Sequence, residues 1–275
     1  MLRICLRGKG VGVKPFVKWA GGKRWLLDRP DFAIPEYSGR YIEPFLGGGA
    51  VFFHLRPMSA LLADINSRLV ETYKAIVDDP IGVRDELRRH HELHSLTYYY
   101  QERARKRRSP KGRAGQFLYL NRTCWNGLYR ENLRGEFNVP IGTKLDVYDP
   151  EENFKEFSEA LAGAEIYCQD FEETLLQAGS GDFVFIDPPY TTAHNINGFV
   201  KYNQKIFKWD DQMRLRDAAI AAKRRGAHVY MTNADHSSVV SLYAGVGEII
   251  RLERSSVISG GTKGRRVTAE LLIRL

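Results

Sequence analysis

The sequence predicts an α/β fold, a mostly parallel sheet with crossover helices that carries one inserted helical subdomain, and three observations predict it. The first is a βαβα opening, in which short apolar runs end in turns and lead into segments with helical spacing. The second is a break in that pattern from residue 80 to about 150, where the chain becomes helical and strongly basic. The third is the return of strand signals at 165–170 and 183–187, the latter of buried type, as a sheet resumed after an insertion requires.

Residues 1–14 are rich in Gly and Lys/Arg and read as a loose arm, with order beginning near Pro15. Tyr41-Ile42-Glu43-Pro44-Phe45 is short and apolar. It runs into Gly47-Gly48-Gly49 and Ala50-Val51-Phe52-Phe53-His54-Leu55, the pattern of strand, glycine turn and helix start. Ala60-Leu61-Leu62-Ala63-Asp64 is a second strand, and 66–78 has helical spacing at Leu69, Tyr73, Ile76 and Val77. Within 80–150, Arg103, Arg105, Lys106, Arg107, Arg108, Lys111 and Arg113 fall in one stretch that reads as a basic helix, followed by a Gly/Asn-rich segment. The later strands at 165–170 and 183–187 each end in an acid. An amphipathic helix over 212–225, a strand over 228–233 and two strands near 248–252 and 267–273 complete the sheet. The predicted division is an arm at 1–14, an α/β domain at 15–79 and 151–275, and an insertion at 80–150.

Over 275 residues, 43% hydrophobic and 12% aromatic content supports a sizeable core and excludes wholesale disorder, a collagen-like repeat and a coiled-coil rod. No apolar run approaches the roughly 20 residues that span a bilayer, and the first residues lack a signal peptide's apolar core, so a cytoplasmic protein without membrane contact is expected. Cys5, Cys124 and Cys168 form no Cys-x-x-Cys pair, which predicts reduced thiols and no structural metal. The cluster of His90, His91 and His94 lacks carboxylates or Cys at metal-ligand spacing and reads as structural. Forty-one Lys and Arg against 33 Asp and Glu leave a charge of +8, compatible with a polyanionic partner such as nucleic acid.

The most specific motif is Asp187-Pro188-Pro189-Tyr190, placed directly after a strand and so at the carboxyl end where open α/β sheets bind ligands. Two prolines supply no backbone donor, and the loop offers carbonyl oxygens and a carboxylate. Such an acceptor-only surface suits an amino group: Asp187 and the Pro188 carbonyl accept its two hydrogens while Tyr190 stacks on the attached ring. The alternative is a strand-ending acid before a rigid turn, with Tyr190 in the core. Phe45-Leu46-Gly47-Gly48-Gly49 resembles a nucleotide-binding turn in letting backbone approach a ligand, although it is neither Gly-x-Gly-x-x-Gly nor a phosphate-binding Gly-Lys-Ser/Thr loop. Asp64 ends the next strand where an acid contacts ribose hydroxyls, or else caps the helix near Asn66. Asp170-Phe171 either binds and stacks on an adenine or is a cap with a core aromatic.

Four segments in order carry a family resemblance: Phe16-Val17-Lys18-Trp19-Ala20-Gly21-Gly22-Lys23-Arg24, Glu43-Pro44-Phe45-Leu46-Gly47-Gly48-Gly49-Ala50-Val51-Phe52, Asn121-Arg122-Thr123-Cys124-Trp125-Asn126-Gly127-Leu128-Tyr129-Arg130, and Asp187-Pro188-Pro189-Tyr190. Together they resemble the Dam-type, D12-class alpha-group adenine-specific DNA methyltransferases, from about Pro15 to the C-terminus. The resemblance implies a Rossmann-like S-adenosylmethionine-dependent methyltransferase sheet at 15–79 and 151–275 with an inserted helical/β-hairpin target-recognition domain at 80–150. It implies S-adenosyl-L-methionine as cofactor, double-stranded DNA as partner, and a monomer.

Residue by residue, Trp19, Ala20, Gly21 and Lys23 are implied at the cofactor's methionine end, beside Phe45, Gly47 and Gly49. Asp64 is implied on the ribose, Asp170 and Phe171 at the adenine, and Asp187, Pro188, Pro189 and Tyr190 at the reacting amine, with Asp187 also beside the cofactor. On the DNA side, Lys18 is implied on the first guanine, Trp125 as a wedge in the stack left by the flipped adenine, and Asn126 on neighbouring bases. Arg130 is implied on a guanine, a bidentate pairing that the major groove favours. Leu128 and Pro140 are implied on a thymine methyl, and Arg122 and Asn138 belong to the same DNA-binding set. Leu133-Arg134-Gly135-Glu136-Phe137-Asn138-Val139-Pro140 extends the likeness and implies a GAT-containing site, foremost GATC. One departure is Thr143-Lys144, where Dam-like sequences often place an arginine, so a phosphate contact is shifted or lost. The basic stretch 103–113 and Lys263-Gly264-Arg265-Arg266 are candidate phosphate-contacting surfaces, or else solvated charged faces. RNA adenine or a protein glutamine remain alternative amines for the same chemistry.

Overall fold

The computed structural model describes residues 13–132, 135–191, 207–255 and 267–275. In chain order the elements are α1 (Arg24–Leu27), β1 (Tyr41–Glu43), α2 (Ala50–Leu55), β2 (Ala60–Asp64), α3 (Ser67–Asp78), α4 (Pro80–Glu92), α5 (Leu96–Ala104), α6 (Pro110–Thr123), a 3-10 turn (Trp125–Gly127) and α7 (Phe154–Leu161). There follow β3 (Ala164–Cys168), α8 (Phe171–Leu176), β4 (Phe183–Ile186), α9 (Trp209–Arg224), β5 (His228–Ala234), α10 (Ser237–Tyr243), β6 (Glu248–Ser255) and β7 (Val267–Arg274). This is a mixed α/β fold whose described residues fall in two compact units. One comprises Ala33–Phe45 and Gln169–Leu275, the other residues 13–32 and Leu46–Cys168.

In the first unit the strands lie in the order β1, β4, β5, β7, β6. β4 runs parallel to β1 and β5, whereas β7 is antiparallel to both β5 and β6. Every residue of β1 and β4 is buried, which explains their near-continuous apolar runs: a parallel strand covered on both faces has no polar side. β1 ends at Glu43, two residues before the predicted end, because Pro44 has no N–H to continue a ladder. The register pairs Ile186 with Met231, so Asp187 leaves β4 alongside Thr232 of β5. β7 returns in the opposite direction and pairs Glu270 with Ala234, bringing Glu270 to the same end of the strands. Helix α9 starts at Trp209, three residues before the predicted start, where the Lys208 N–H donates to Asp211 Oδ2 at 2.8 Å.

The second unit holds the parallel pair β2 and β3, in register Ala60 with Ala164, and a helical cluster in which α6 packs on α3 and α4. Side-chain caps define most helix starts: Asn66 for α3, Asp79 for α4, Ser95 for α5, Ser109 for α6 and Asn153 for α7 each accept a backbone N–H of the first turn. One alternative is set aside here and one expectation corrected. Asn66, not Asp64, caps α3. The basic stretch 103–113 is not one helix, because α5 stops at Ala104 and α6 begins at Pro110. Ser109-Pro110 imposes that break, since a residue before proline is driven to extended backbone and proline is favoured in a helix's first turn.

Much of the stretch's charge is already engaged. The Arg107 fork donates to both oxygens of buried Glu102 at 2.6 Å each, Arg103 donates to the Val139 carbonyl, Arg113 to Glu71, and Lys111 lies 3.5 Å from Asp79. Residues 133, 134 and 263–266, read as recognition and phosphate-contacting positions, and the arm's 1–12 lie outside the described residues. Among the described residues, no helix is long and apolar enough to cross a membrane.

His90 on α4 is fully buried, its ring stacked on Tyr119 at 4.9 Å and its Nδ1 2.8 Å from the Tyr98 hydroxyl. Burial pushes its pKa from the ordinary 6.5 down to about 4. The folded protein thus keeps the ring neutral where the unfolded chain protonates it. Its contribution is full above about 6.5 and is lost as pH falls toward 4, by about 3 kcal/mol. The urea midpoint is expected to drop between about pH 7 and about pH 5, and His90→Phe to flatten that dependence. A variant that tracks the wild type across this range would show that another group titrates.

Candidate functional site

In the first unit, the loop after β4 presents Asp187-Pro188-Pro189-Tyr190. Asp187 and Tyr190 are half-buried and Pro188 is buried. The Thr232 hydroxyl donates to Asp187 Oδ1 at 2.6 Å, and the Tyr190 hydroxyl donates to Glu270 Oε2 at 2.6 Å. Burial, then the Asp187 and Glu270 carboxylates, push the Tyr190 phenol well above its ordinary pKa, so it remains a protonated donor. The loop is anchored behind Tyr190: Thr191 Oγ1 donates to the Phe207 carbonyl at 2.8 Å, and the amides of Gln212 and Asn233, both fully buried, bond to each other. At the end of β1, the buried Tyr41 hydroxyl donates to buried Glu43 at 2.8 Å.

The same unit places Asp170 and Phe171 at the start of α8 rather than at a strand's end, since β3 stops at Cys168. Asp170 Oδ1 accepts the Glu172 N–H at 2.9 Å and Arg214 Nη2 at 3.0 Å. Phe171 is buried, with Phe45 stacked on it at 5.4 Å, Phe207 edge-on and the Arg214 guanidinium 4.9 Å from its centre. Phe45 and Phe171, read separately from the sequence, therefore form one aromatic cluster.

In the second unit the glycine turn is held by Asp64. Gly47 N–H donates to Asp64 Oδ2 and Asn66 N–H to Oδ1, each at 2.9 Å, and the Tyr73 hydroxyl donates to the Gly47 carbonyl at 3.1 Å. Burial raises the Asp64 carboxyl pKa, and the backbone hydrogen bonds oppose that rise. Gly47 has φ +47°, and a Cβ there would sit 2.6 Å from the Trp19 ring, so a side chain is excluded both by conformation and by space. Trp19 in turn stacks on Tyr129 at 5.7 Å. Lys23 is buried with its Nζ donating to the Gly21 carbonyl at 2.6 Å, whereas Ala20 and Gly21 are exposed.

This unit also gathers the residues assigned to DNA. Trp125 is 53% exposed in the 3-10 turn, an unusual place for the largest apolar side chain. Its N–H donates to the Pro140 carbonyl at 2.9 Å; Arg130 Nε donates to Asn138 Oδ1 at 2.9 Å, and the Asn138 N–H returns to the Arg130 carbonyl at 3.2 Å. Antiparallel bridges pair Cys124 with Ile141 and Glu131 with Phe137. These contacts make a narrow ribbon on which Trp125, Asn126, Arg130 and Pro140 are exposed and Leu128 half-buried. Lys18, exposed, joins them through Asn121, a fully buried side chain whose Oδ1 accepts the Lys18 N–H at 2.9 Å and whose Nδ2 donates to the Lys18 carbonyl at 2.8 Å. Arg122 stands apart: its fork binds Glu152 at 2.7 and 2.8 Å and also donates to the carbonyls of Val147 and Phe16.

Sequence reasoning assigned no role to Asn121, Arg214, Thr232 or Glu270. Asn121 lay inside a quoted motif, but its partner is 103 residues away. The other three carry no local signal, because the sheet register and helix packing bring them to their partners. Among the described residues no group of three or more His, Cys, Asp or Glu is placed to hold a metal ion.

The profile of the D12 class N6 adenine-specific DNA methyltransferases matches residues 19–258 of the chain. A type II methyltransferase, M1.LlaDCHI, from Lactococcus lactis subsp. cremoris is 33% identical over 98% of this chain and 97% of its own. The type II methyltransferase M.MjaIII of Methanocaldococcus jannaschii is 35% identical, covering 81% of this chain and 84% of its own. The DNA adenine methylase of Escherichia coli (strain K12) is 34% identical over 94% of both chains.

Gly127 and Gly135 offer a matched pair of substitutions, since both have left-handed backbone, with φ +64° and +73°. A Cβ at Gly127 would lie 2.5 Å from Lys18 Cδ, whereas one at Gly135 would meet nothing within 4 Å. Gly135→Ala is expected to cost about 1 kcal/mol of backbone strain and Gly127→Ala measurably more, read from denaturant unfolding. Equal costs would mean that the Lys18 stem swings aside freely.

Proposed function

The chain belongs to the D12 class N6 adenine-specific DNA methyltransferases, and on that premise we propose that it methylates the N6 amine of the adenine in a GATC site of duplex DNA. The observation that carries this reading is the acceptor set at the end of β4, where the Asp187 carboxylate, held by Thr232, is followed by two prolines that supply no backbone N–H. An adenine amine is a poor nucleophile because its lone pair is delocalised into the ring. Asp187 and the Pro188 carbonyl accept its two hydrogens, localise that lone pair and aim the nitrogen. Tyr190 supports the ring. Positioning and preorganised charge supply the acceleration, and no covalent enzyme intermediate is required.

S-adenosyl-L-methionine, when bound, supplies an electrophilic methyl group. The residues present suit it. Asp170 Oδ1 already holds the Glu172 N–H and Arg214, which leaves Oδ2 for an amino hydrogen, and the Asp64 oxygens that take the Gly47 and Asn66 N–H groups retain lone pairs for ribose hydroxyls. Trp19, Ala20, Gly21, Lys23, Phe45 and Phe171 complete this assignment.

For the DNA, we assign recognition to 80–150 together with Lys18, and catalysis to the remainder of 15–79 and to 151–275. The target adenine leaves the stack at a cost of a few kcal/mol, which exposed Trp125 partly offsets by filling the gap. Lys18, Asn126, Leu128, Arg130 and Pro140 read the neighbouring bases, and Asn138 orients Arg130 through their 2.9 Å hydrogen bond. Arg122, enclosed by Glu152 and two carbonyls, serves that surface by holding its base. Two relatives are type II methyltransferases, which favours a role as the modifying half of a restriction pair; the second reading keeps the same chemistry and moves it to a longer GAT-containing site.

Labelled cofactor offered with duplexes altered at each position of GATC tests the proposal. Transfer confined to GATC is expected; transfer only within a longer context selects the second reading, and transfer to RNA or protein alone overturns both. Asp187→Ala is expected to abolish transfer while cofactor binding persists, and retention of more than a few per cent of activity would remove Asp187 from the chemistry. Arg130→Ala is expected to relax discrimination at a single base pair by about 1–3 kcal/mol, measured as the ratio of kcat/KM values between cognate and altered duplexes.

A further inference from the structure

Asp187 and Tyr190 come from one loop, but the groups that hold them come from two other strands. Thr232 on β5 is fully buried, donates to Asp187 Oδ1 at 2.6 Å and lies 3.5 Å from the Ile186 carbonyl. Glu270 on β7 is 9% exposed and takes the Tyr190 hydroxyl at 2.6 Å. Two hydrogen-bonded pairs, Thr232 with Asp187 and Glu270 with Tyr190, therefore tie the loop after β4 to β5 and β7.

Packing alone does not call for these residue types. Valine has almost the shape of threonine, and leucine fills space comparable to a glutamate without the desolvation cost of a carboxylate. A β-branched threonine has few accessible rotamers, so its hydroxyl is a stiff donor. A carboxylate accepts only, so it commits the phenol to donate in one direction and thereby orients the Tyr190 ring.

We propose that Thr232 and Glu270 are positioning residues of the methyl transfer: Thr232 sets the rotation of the Asp187 carboxylate toward the target amine, and Glu270 fixes the plane of Tyr190 on which the target base rests. The proposal rests on reading Asp187 to Tyr190 as the amine-binding motif. Neither residue contacts the cofactor or the base in this scheme, and each acts through the side chain that it holds.

The test uses the full-length protein and four variants, Thr232→Val, Thr232→Ser, Glu270→Leu and Glu270→Gln, with Asp187→Ala alongside. Single-turnover methylation of a GATC duplex, cofactor affinity by calorimetry and thermal melting are measured on each. Thr232→Val and Glu270→Leu are expected to slow the transfer step on the order of tenfold or more with cofactor affinity unchanged. Thr232→Ser restores the donor and Glu270→Gln the acceptor, and both are expected to recover most of the rate. Because these two are close to isosteric, they keep the proposal testable should a larger change unfold the chain: a full loss in Thr232→Ser and Glu270→Gln would overturn it. Wild-type rates in Thr232→Val and Glu270→Leu would also overturn it, as would a loss that follows weakened cofactor binding. If Asp187→Ala itself stays active, the underlying assignment fails and the proposal falls with it; if Asp187→Ala is dead while Thr232→Val is fully active, the positioning role alone fails.

Discussion

Parallel pairing of β4 between β1 and β5 is the constraint on which the first unit depends. Parallel neighbours end together, so their carboxyl-terminal loops open on one edge, and a strand covered on both faces of the sheet is apolar throughout. Phe183 to Ile186 meets that demand, and the first residue free of it is Asp187. The antiparallel β7 then reverses the chain's direction and brings Glu270 to an edge that its own polarity would otherwise place far away. An acid and a phenol from the loop after β4 thus converge with a hydroxyl from within β5 and a second acid from within β7.

A comparable rule governs the second unit, where exposed side chains stand on buried polar ones. Asn121 ties the backbone of Lys18 to the helix that leads into the Trp125 turn, and Asp64 ties Gly47 to the start of α3. Each support makes two or more hydrogen bonds to backbone, so its burial is compensated and the segment it holds is defined to within a single conformation. Charge follows the same pattern. The stretch 103–113 looks in sequence like a surface offered to a polyanion, yet Glu102, Glu71 and Asp79 engage Arg107, Arg113 and Lys111. Net charge records the excess of cations and not which of them is available.

What was legible in the sequence was local. Apolar runs located the strands to within two residues at most ends, helical spacing located α3, and the proline pair and glycine turn announced special backbone. The family motifs nominated Trp125, Arg130, Asp187 and Tyr190 for the roles proposed above. Illegible were the partners, because a hydrogen bond from Thr232 to Asp187 depends on the β4 and β5 register and one from Tyr190 to Glu270 spans 80 residues of sequence. Local competition misled in two places. Asn66 outcompeted Asp64 as a cap because Asp64 accepts two N–H groups from either side of it, and Ser109-Pro110 divided a stretch whose composition reads as one helix.

Function and stability draw on the same buried groups with opposite demands. A buried carboxylate such as Glu270 is a poor choice for holding a sheet together, since an apolar residue there would avoid desolvation altogether. It becomes a good choice when a neighbouring phenol must keep one orientation while a base enters and leaves beside it. Thr232 shows the complementary case: its hydroxyl, fully buried, meets the half-buried Asp187, and left without that partner it would be costly to keep inside. In the proposed reaction the acceptor set needs no tuned general base, because the one hydrogen that must leave the amine becomes acidic only as the nitrogen is alkylated and the methyl–sulfur bond breaks, and an acceptor already holds it. Rigidity is then the property to be supplied, and strands β5 and β7, paired residue by residue over Tyr230 to Ala234, are better suited to supply it than the loop that carries the motif.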